Sequence, residues 1–256
     1  MQIIEQTIHT LPVRVYDNRK EMGRAAAEEA ARIINGAIKK KGTANVIFAA
    51  APSQSDLLDA LLAQEIDWTL VRGFHQDEYI GLDPASSAGF GNFLRRHIFD
   101  KVPFMELHYL QCKPEHAEEK CKEYGALLKE LPPDLIFLGV GENGHLAFND
   151  PSVADFEDPL AVKVVELDDV CRNQQVNDGC FQAIKEVPTH AITLTMSLIL
   201  RVPRAITVVP TALKASAINE ALHGPVGTAC PASALRLHRG ASLYLDRDSA
   251  GKAFSL

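Results

Sequence analysis

The chain lacks the features that membrane insertion, nucleic-acid binding and secretion require. Its 256 residues contain no uninterrupted apolar run of about eighteen residues, the length that a transmembrane helix needs. It carries 26 Lys and Arg against 33 Asp and Glu, and its one basic run, Lys39–Lys41, is too short for a nucleic-acid-binding stripe. Its N-terminus has no basic segment followed by an apolar core and a cleavage site. We therefore expect a soluble cytoplasmic protein with no membrane or nucleic-acid partner.

Cysteine provides no structural framework either. The five cysteines are an odd number and none belongs to a C-x-x-C pair, so neither a disulfide scaffold nor a metal site is expected. What the chain does have is core-forming material, because 46% of its residues are hydrophobic and 23% are charged. A composition of this kind predicts a globular protein with a sizeable core, and the length is compatible with one domain over residues 1–256.

Short apolar segments alternate with amphipathic stretches along the chain. Asn18 followed by Glu21 is a capping-box pattern that predicts a helix over residues 19–40, and Gly42 stands where that helix would end. Strands are predicted at 46–50, 71–74, 107–110, 135–138, 162–167, 192–194, 205–209 and 243–245. Further helices are predicted after Pro52–Ser55 and over 91–99, 116–129 and 212–222. Strands separated by helices imply crossover connections, so we predict an α/β fold with a mostly parallel sheet covered on both faces.

Polar residues collect after four of the predicted strands. These clusters are Pro52–Ser55, His75–Tyr79, Gly141–His145 and Thr211–Lys214. In open parallel sheets, ligands bind beyond the carboxyl ends of the strands. One polar strand end would be an ordinary loop, but four of them with complementary chemistry predict a single site.

Two of these clusters contain candidate acid–base groups. His145 lies in a glycine-rich turn and Asp150 follows five residues later, at a spacing where a carboxylate can orient an imidazole. Asp77 and Glu78 end an apolar strand, and a carboxylate partly removed from water can serve as a general base. We expect Glu78, next to Asp77, to contact the substrate. Taken singly, each has a simpler interpretation, namely a surface histidine in a flexible loop and a solvated turn or helix cap.

The other two clusters contain candidate anion-binding groups. Ser53, Gln54 and Ser55 begin a predicted helix, where hydroxyl, amide and backbone N–H groups can bind a phosphate. Lys214 lies in the first turn of a later helix, a position where the helix dipole favours carboxylates, and a bound phosphate would account for it. Ordinary N-capping and a solvated lysine are the alternatives.

Two longer motifs resemble a known family. FHQDEYIGL (Phe74–Leu82) and GVGENGHLAFNDP (Gly139–Pro151), in this order and at this separation, are similar to the motifs of the glucosamine-6-phosphate deaminase (isomerase) family. The resemblance implies a Rossmann-like three-layer α/β sandwich, shared with 6-phosphogluconolactonases. It also implies conversion of an amino-sugar 6-phosphate to a keto-sugar 6-phosphate and ammonia, with no organic cofactor or metal.

The resemblance also implies roles for particular residues. Asp77 matches the base that moves a proton between C2 and C1, and His145 matches the residue that protonates the ring oxygen. Asp150 matches the acidic partner of that histidine, and Asn143 stands where many members have Asp. Lys214 matches a lysine that contacts the phosphate.

The phosphate-binding residues depart from the family pattern. The family's Ser/Thr-Gly-Gly-Thr loop is replaced here by Ala51–Ser55, and Asn177 aligns with a phosphate-binding arginine, with Arg172 nearby. A 6-phosphogluconolactonase, a galactosamine-6-phosphate isomerase and a non-catalytic sugar-phosphate sensor therefore remain as alternatives. The residues after His145 favour the deaminase over the lactonase. The sequence leaves open which amino sugar is the substrate and whether the chain forms a homo-oligomer.

Overall fold

A computed structural model describes all residues, 1–256, as eleven strands and eight α-helices. The strands are β1 (Gln2–Ile8), β2 (Leu11–Tyr16), β3 (Ala44–Phe48), β4 (Val71–His75), β5 (Asp77–Tyr79), β6 (Glu106–His108), β7 (Leu135–Leu138), β8 (Val162–Glu166), β9 (His190–Leu194), β10 (Ala205–Val209) and β11 (Ala241–Asp246). The helices are α1 (Arg19–Lys41), α2 (Ser55–Leu62), α3 (Phe90–Leu94), α4 (Ala117–Glu130), α5 (Asp169–Asn177), α6 (Met196–Arg201), α7 (Ala215–His223) and α8 (Arg247–Phe254). None of these helices combines the length and the apolar character that spanning a bilayer demands.

Eight strands form the main sheet in the order β1-β2-β11-β10-β7-β3-β4-β6. β1 and β2 are an antiparallel hairpin, and every other neighbouring pair in this sheet is parallel. The predicted α/β fold with a mostly parallel sheet is therefore confirmed. Because the parallel strands share one direction, their carboxyl ends meet at one edge of the sheet.

Helices cover both faces of the main sheet. Along β3, Val46 and Phe48 belong to the core cluster under α1 and α2, whereas Ile47 belongs to the cluster under α4 and α7. This alternation is what a strand buried on both faces requires, since successive side chains point to opposite faces. The predicted three-layer arrangement is confirmed.

Helix α1 begins and ends where the sequence predicts. The side chain of Asn18 accepts a hydrogen bond from the N–H of Glu21 (3.0 Å), which satisfies one of the free donors of the first turn. Gly42 ends the helix in the left-handed conformation (φ 85°), and its N–H donates to the carbonyl of Ile38 (2.8 Å).

Three strands form a separate antiparallel sheet in the order β5-β9-β8. Strands near 162–167 and 192–194 were expected in the main sheet, and the structure corrects this placement. β9 instead pairs with β8 on one side and with β5 on the other, where Asp77 lies opposite Thr193. This small sheet fixes the backbone of Asp77 just beyond the carboxyl end of β4.

Candidate active site

A cleft of about 140 Å³ lies at the carboxyl ends of β3, β4, β7 and β10. Members of all four polar clusters line it: Pro52, Ser53 and Gln54, then Asp77, then Gly141 and His145, then Thr211 and Lys214. The structure thus brings the four strand ends together in one cavity.

Asp77 is a buried carboxylate that faces this cleft. The residue is 5% exposed, and its Oδ1 has no hydrogen-bond partner. Burial and, to a smaller extent, the neighbouring charge of Glu78 raise the pKa of Asp77 well above its usual range. A carboxylate with a raised pKa and a free oxygen is suited to accepting and returning a proton.

Glu78 was expected to contact the substrate, and the structure places it elsewhere. Its carboxylate accepts hydrogen bonds from the backbone N–H groups of Tyr79 (3.0 Å), Phe90 (3.0 Å) and Gly91 (2.8 Å). It does not line the cleft of Asp77, because adjacent side chains on β5 point in opposite directions. Glu78 instead holds the start of α3, and burial raises its pKa although these hydrogen bonds oppose the shift.

His145 occupies a tight turn that depends on glycine. The N–H of Gly141 donates to the carbonyl of His145 (3.0 Å), and a Cβ on Gly141 would lie 2.3 Å from the imidazole ring. Only glycine therefore allows the ring to lie against the backbone of this turn. Nδ1 of His145 lies 2.8 Å from Oδ1 of Asp150, an ion-pair distance, although the ring N–H does not point along that line.

Asp150 and Asn143 support His145 without lining the cleft. The carboxylate of Asp150 is fully buried and accepts a hydrogen bond from Nδ2 of Asn143 (2.9 Å). Burial alone would raise the pKa of Asp150. The interactions with His145, Asn143 and the N–H of Asp168 outweigh burial, and the pKa lies below its usual value. Asp150 is therefore held as a carboxylate beside the imidazole.

Two of the three residues predicted to bind an anion near α2 line the cleft. Gln54 is buried, and its Nε2 lies 3.3 Å from both Ser53 Oγ and the carbonyl of Leu138. Ser55 is the first residue of α2 and does not line the cleft. The hydroxyl of Ser53 is thus the side-chain donor of this loop that a ligand would meet.

Lys214 presents a buried ammonium group to the cleft. Its side chain is 7% exposed, Nζ has no hydrogen-bond partner, and Oε1 of Glu142 lies 3.8 Å away. Burial lowers the pKa of Lys214, while the charges of Asp178 and Glu142 oppose that shift. Two carboxylates therefore compete with any anionic ligand for this cation.

The backbone that carries Lys214 is held in an unusual conformation. Thr211 has φ 80°, a value that residues with a side chain rarely adopt and that costs on the order of 1–3 kcal/mol. Its N–H donates to both carboxylate oxygens of Asp246 (3.1 Å each), and Asp246 also caps α8. These bonds hold the turn that aims Lys214 into the cleft.

Several lining residues carry no clear signal in the sequence. They are Arg19, Gln174, Gln175 and Asp178. Arg19 donates from Nη2 to the carbonyl of Pro52 (2.8 Å) and pairs with Asp56. Arg19 is therefore a second basic side chain of the cleft, in addition to Lys214. It lies far from residues 51–55 in the sequence, so no local pattern predicts that it belongs to the site.

The two residues considered in place of the family's arginine do not reach the cleft. Nη2 of Arg172 donates to the carbonyls of Ile184 (2.9 Å) and Val187 (3.1 Å), so this guanidinium ties down a loop. Asn177 donates from Nδ2 to Glu142 (3.3 Å) on the surface. Neither residue lines the cavity.

His145, Asp150 and Cys171 are the one group of side chains with the spacing of a metal site. Their potential ligand atoms lie within 4.8 Å of one another. Burial raises the pKa of the Cys171 thiol well above its usual range, whereas a metal binds the thiolate. Since His145 and Asp150 are also paired with each other, the group is better suited to proton transfer than to metal binding.

Comparison with known proteins agrees with this geometry. A family model for glucosamine-6-phosphate isomerases/6-phosphogluconolactonase matches residues 17–244. The glucosamine-6-phosphate deaminases of Bacillus thuringiensis (strain Al Hakam) and Bacillus anthracis (strain A0248) are each 30% identical to this chain over 223 residues, which is 87% of this chain and 83% of each relative.

Solved structures show the same fold. A monomeric glucosamine-6-phosphate deaminase superimposes with a TM-score of 0.84 at 25% identity, covering 94% of this chain and 99% of that chain. A 6-phosphogluconolactonase from Trypanosoma brucei superimposes with a TM-score of 0.77 at 17% identity, covering 96% and 98%, and supports the fold alone. The chain belongs to the glucosamine-6-phosphate isomerase/6-phosphogluconolactonase family.

Proposed function

We propose that this protein is an amino-sugar-6-phosphate deaminase that converts glucosamine 6-phosphate to fructose 6-phosphate and ammonia. The observation that carries the proposal is the pairing, in one cleft, of a buried carboxylate with a free oxygen and a histidine backed by a second carboxylate. An aldose–ketose isomerisation needs these two functions, a base that moves a proton between neighbouring carbons and an acid that opens the ring.

Ring opening is assigned to His145 together with Asp150. The imidazolium donates its proton to the ring oxygen as the bond from that oxygen to C1 breaks, and the C1 hydroxyl gives up its proton to solvent as the aldehyde forms. Asp150, fully buried at 2.8 Å from Nδ1, stabilises the imidazolium through its charge. Asn143 contributes through hydrogen bonds alone.

Proton transfer is assigned to Asp77. Its carboxylate removes the proton from C2 and, after that proton has exchanged with solvent, delivers a proton to C1. A proton passes from the C2 amine to O1, so that C1 carries a hydroxyl and C2 an imine. Water then hydrolyses the imine to the ketone and releases ammonia, so that one water is consumed for each ammonia formed. The raised pKa of Asp77 brings the carboxylate closer to the basicity that such a transfer needs.

The phosphate is assigned to the other end of the cleft. Lys214 supplies a buried ammonium group, Ser53 a hydroxyl, and the Pro52–Gln54 turn that leads into α2 its backbone N–H groups. Arg19 adds a guanidinium beside the same loop. These four contributions take the place of the glycine-rich loop and the arginine that the family resemblance leads one to expect.

We further infer one domain over residues 1–256, because both core clusters pack on the same main sheet.

The experiment that tests this proposal is a substrate panel. Ammonia release is measured with glucosamine, galactosamine and mannosamine 6-phosphates, and 6-phosphogluconolactone hydrolysis is measured in parallel. The proposal predicts ammonia from glucosamine 6-phosphate and no acceleration of lactone hydrolysis. Lactone hydrolysis without ammonia release would assign the chain to the hydrolase branch, and ammonia from another epimer alone would reassign the sugar.

A further inference from the structure

A second carboxylate, that of Asp168, lies beside the pair formed by His145 and Asp150. Nδ2 of Asn143 donates to Oδ1 of Asp150 (2.9 Å) and also to Oδ2 of Asp168 (3.2 Å). The backbone N–H of Asp168 donates to Oδ2 of Asp150 (3.3 Å). Two carboxylates from different parts of the chain are therefore joined through one side-chain amide.

An amide is the group that this position requires. The NH₂ of Asn143 carries two hydrogens and serves both carboxylates, while its Oδ1 accepts the backbone N–H of His145 (3.1 Å). A carboxylate at position 143 could accept that N–H but would have no hydrogen for Asp150 or Asp168. Three acceptors would then face one another in a partly buried space, which is costly.

Asp168 is also fixed in place. Its Oδ1 accepts the backbone N–H of Cys171 (2.7 Å), which makes it the N-cap of α5, while its Oδ2 turns towards Asn143. A side chain held at both oxygens cannot swing away into solvent without losing both bonds. The carboxylate of Asp168 therefore stays beside Asn143, which also bonds Asp150 and the backbone N–H of His145.

We propose that Asp168 is a positioning residue of the active site, which acts on His145 through Asn143 and Asp150. Its carboxylate keeps the Asn143 amide turned towards Asp150 and adds negative charge behind the imidazole. The catalytic part of this inference rests on the proposed function. The effect on His145 itself requires no substrate and can be measured on the resting protein.

Three other titratable groups lie near His145, and the test variants leave all three residues unchanged. Asp178 lies near enough for its charge to interact with that of His145, and the Cys171 thiol lies within 4.8 Å of the His145–Asp150 pair. Asp77 lines the same cleft. None of the three is changed in the variants below, so a change in the titration of His145 reports on positions 143 and 168.

The test is a charge exchange between two positions. The variants are Asn143→Asp, Asp168→Asn and the double variant, which retains one carboxylate and one amide at these positions with their locations reversed. Asp169→Asn is the matched control, because Asp169 is the next residue in α5 and its 81% exposed side chain pairs with Arg172 rather than with Asn143. His145 is followed by NMR titration, with its signal assigned by comparison with His145→Gln.

Each single variant is expected to be impaired and the double variant to recover. Asn143→Asp is expected to lose about tenfold or more in kcat/KM, and the double variant to regain most of that loss, because contacting residues show non-additive effects of this size. Asp168→Asn should lower the pH at which His145 titrates, since a negative charge that favours imidazolium is removed. The alkaline limb of the kcat/KM profile, where the imidazolium loses its proton, should move in the same direction, and Asp169→Asn should move neither.

Two results would overturn the inference. One is a double variant whose loss equals the product of the two single losses. The other is a His145 titration that Asp168→Asn leaves in place. If Asp168→Asn does not fold, Asp168→Ser serves instead, because a serine hydroxyl can still cap α5 while the charge is removed. A shifted His145 titration in a protein that releases no ammonia would refute the proposed function and retain this inference.

Discussion

Replacement of Lys214 by Met tests how this cleft binds phosphate. Methionine keeps an unbranched apolar stem and removes the ammonium group, whose Nζ is buried with no hydrogen-bond partner. A hydrogen bond to a charged group contributes about 1.5–3 kcal/mol, or roughly 10- to 150-fold in an equilibrium or rate ratio. Glu142, 3.8 Å from Nζ, and Asp178 offset part of this gain. We therefore expect kcat/KM for glucosamine 6-phosphate to fall by about 10–10².

The assay compares the phosphorylated sugar with glucosamine, which lacks the group that Lys214 is proposed to contact. The loss should be confined to the phosphorylated sugar. Glu142→Gln is the companion variant with the opposite sign, because it removes a competing carboxylate and should raise kcat/KM for the phosphorylated sugar. An equal loss on both sugars in Lys214→Met would refute the assignment. Arg19 would then be the next candidate, since Arg172 does not line the cleft.

Three further predictions concern the carboxylates. Asp77→Asn should reduce turnover by about 10²–10⁴ yet raise the melting temperature. The folded state raises the pKa of Asp77, so the wild type loses stability as the pH rises from the unfolded towards the folded pKa, and the variant does not. The melting temperatures of the wild type and Asp77→Asn should diverge as the pH rises through this range and differ by a constant amount above it. Equal melting temperatures at every pH would contradict the raised pKa of Asp77. Asp150→Asn should move the alkaline limb of the pH–rate profile to lower pH, because the His145 imidazolium loses its carboxylate, and an unmoved limb would count against the pairing. Glu78→Ala should lower the free energy of unfolding by about 1–3 kcal/mol, because buried N–H groups lose their acceptor. An unchanged denaturant midpoint would argue against that structural role.

The sequence predicts those parts of the fold that local chemistry determines. Helix α1 has its start and its end encoded in Asn18 and Gly42, and the fully buried strand β10 is recognisable from its apolar run alone. Strand β1 escapes prediction because its residues are half-buried or exposed and show no simple alternation. The assignment of β8 and β9 to a second sheet depends on pairing between distant segments, which no local pattern encodes.

For the candidate site too, the sequence predicts what local spacing determines and misses what depends on contacts between distant segments. The position of His145 beside Asp150 follows from a spacing of five residues within one turn, so the sequence could indicate it. Adjacent residues on a strand point to opposite faces, so only one of Asp77 and Glu78 could face the cleft, but the pattern does not say which. Arg19 comes from α1, far from the Ser53 loop in the chain, and only the packing of helices on the sheet brings it there.

The central claim is that Asp77 moves a proton between C2 and C1 of an amino-sugar phosphate. NMR of glucosamine 6-phosphate turnover in D₂O tests it most directly. The wild type is predicted to form fructose 6-phosphate and ammonia in equal amounts, with deuterium at C1 of the product, and Asp77→Asn to form neither at a comparable rate. No ammonia from the wild type, or the same labelled product from Asp77→Asn at the wild-type rate, would contradict the account.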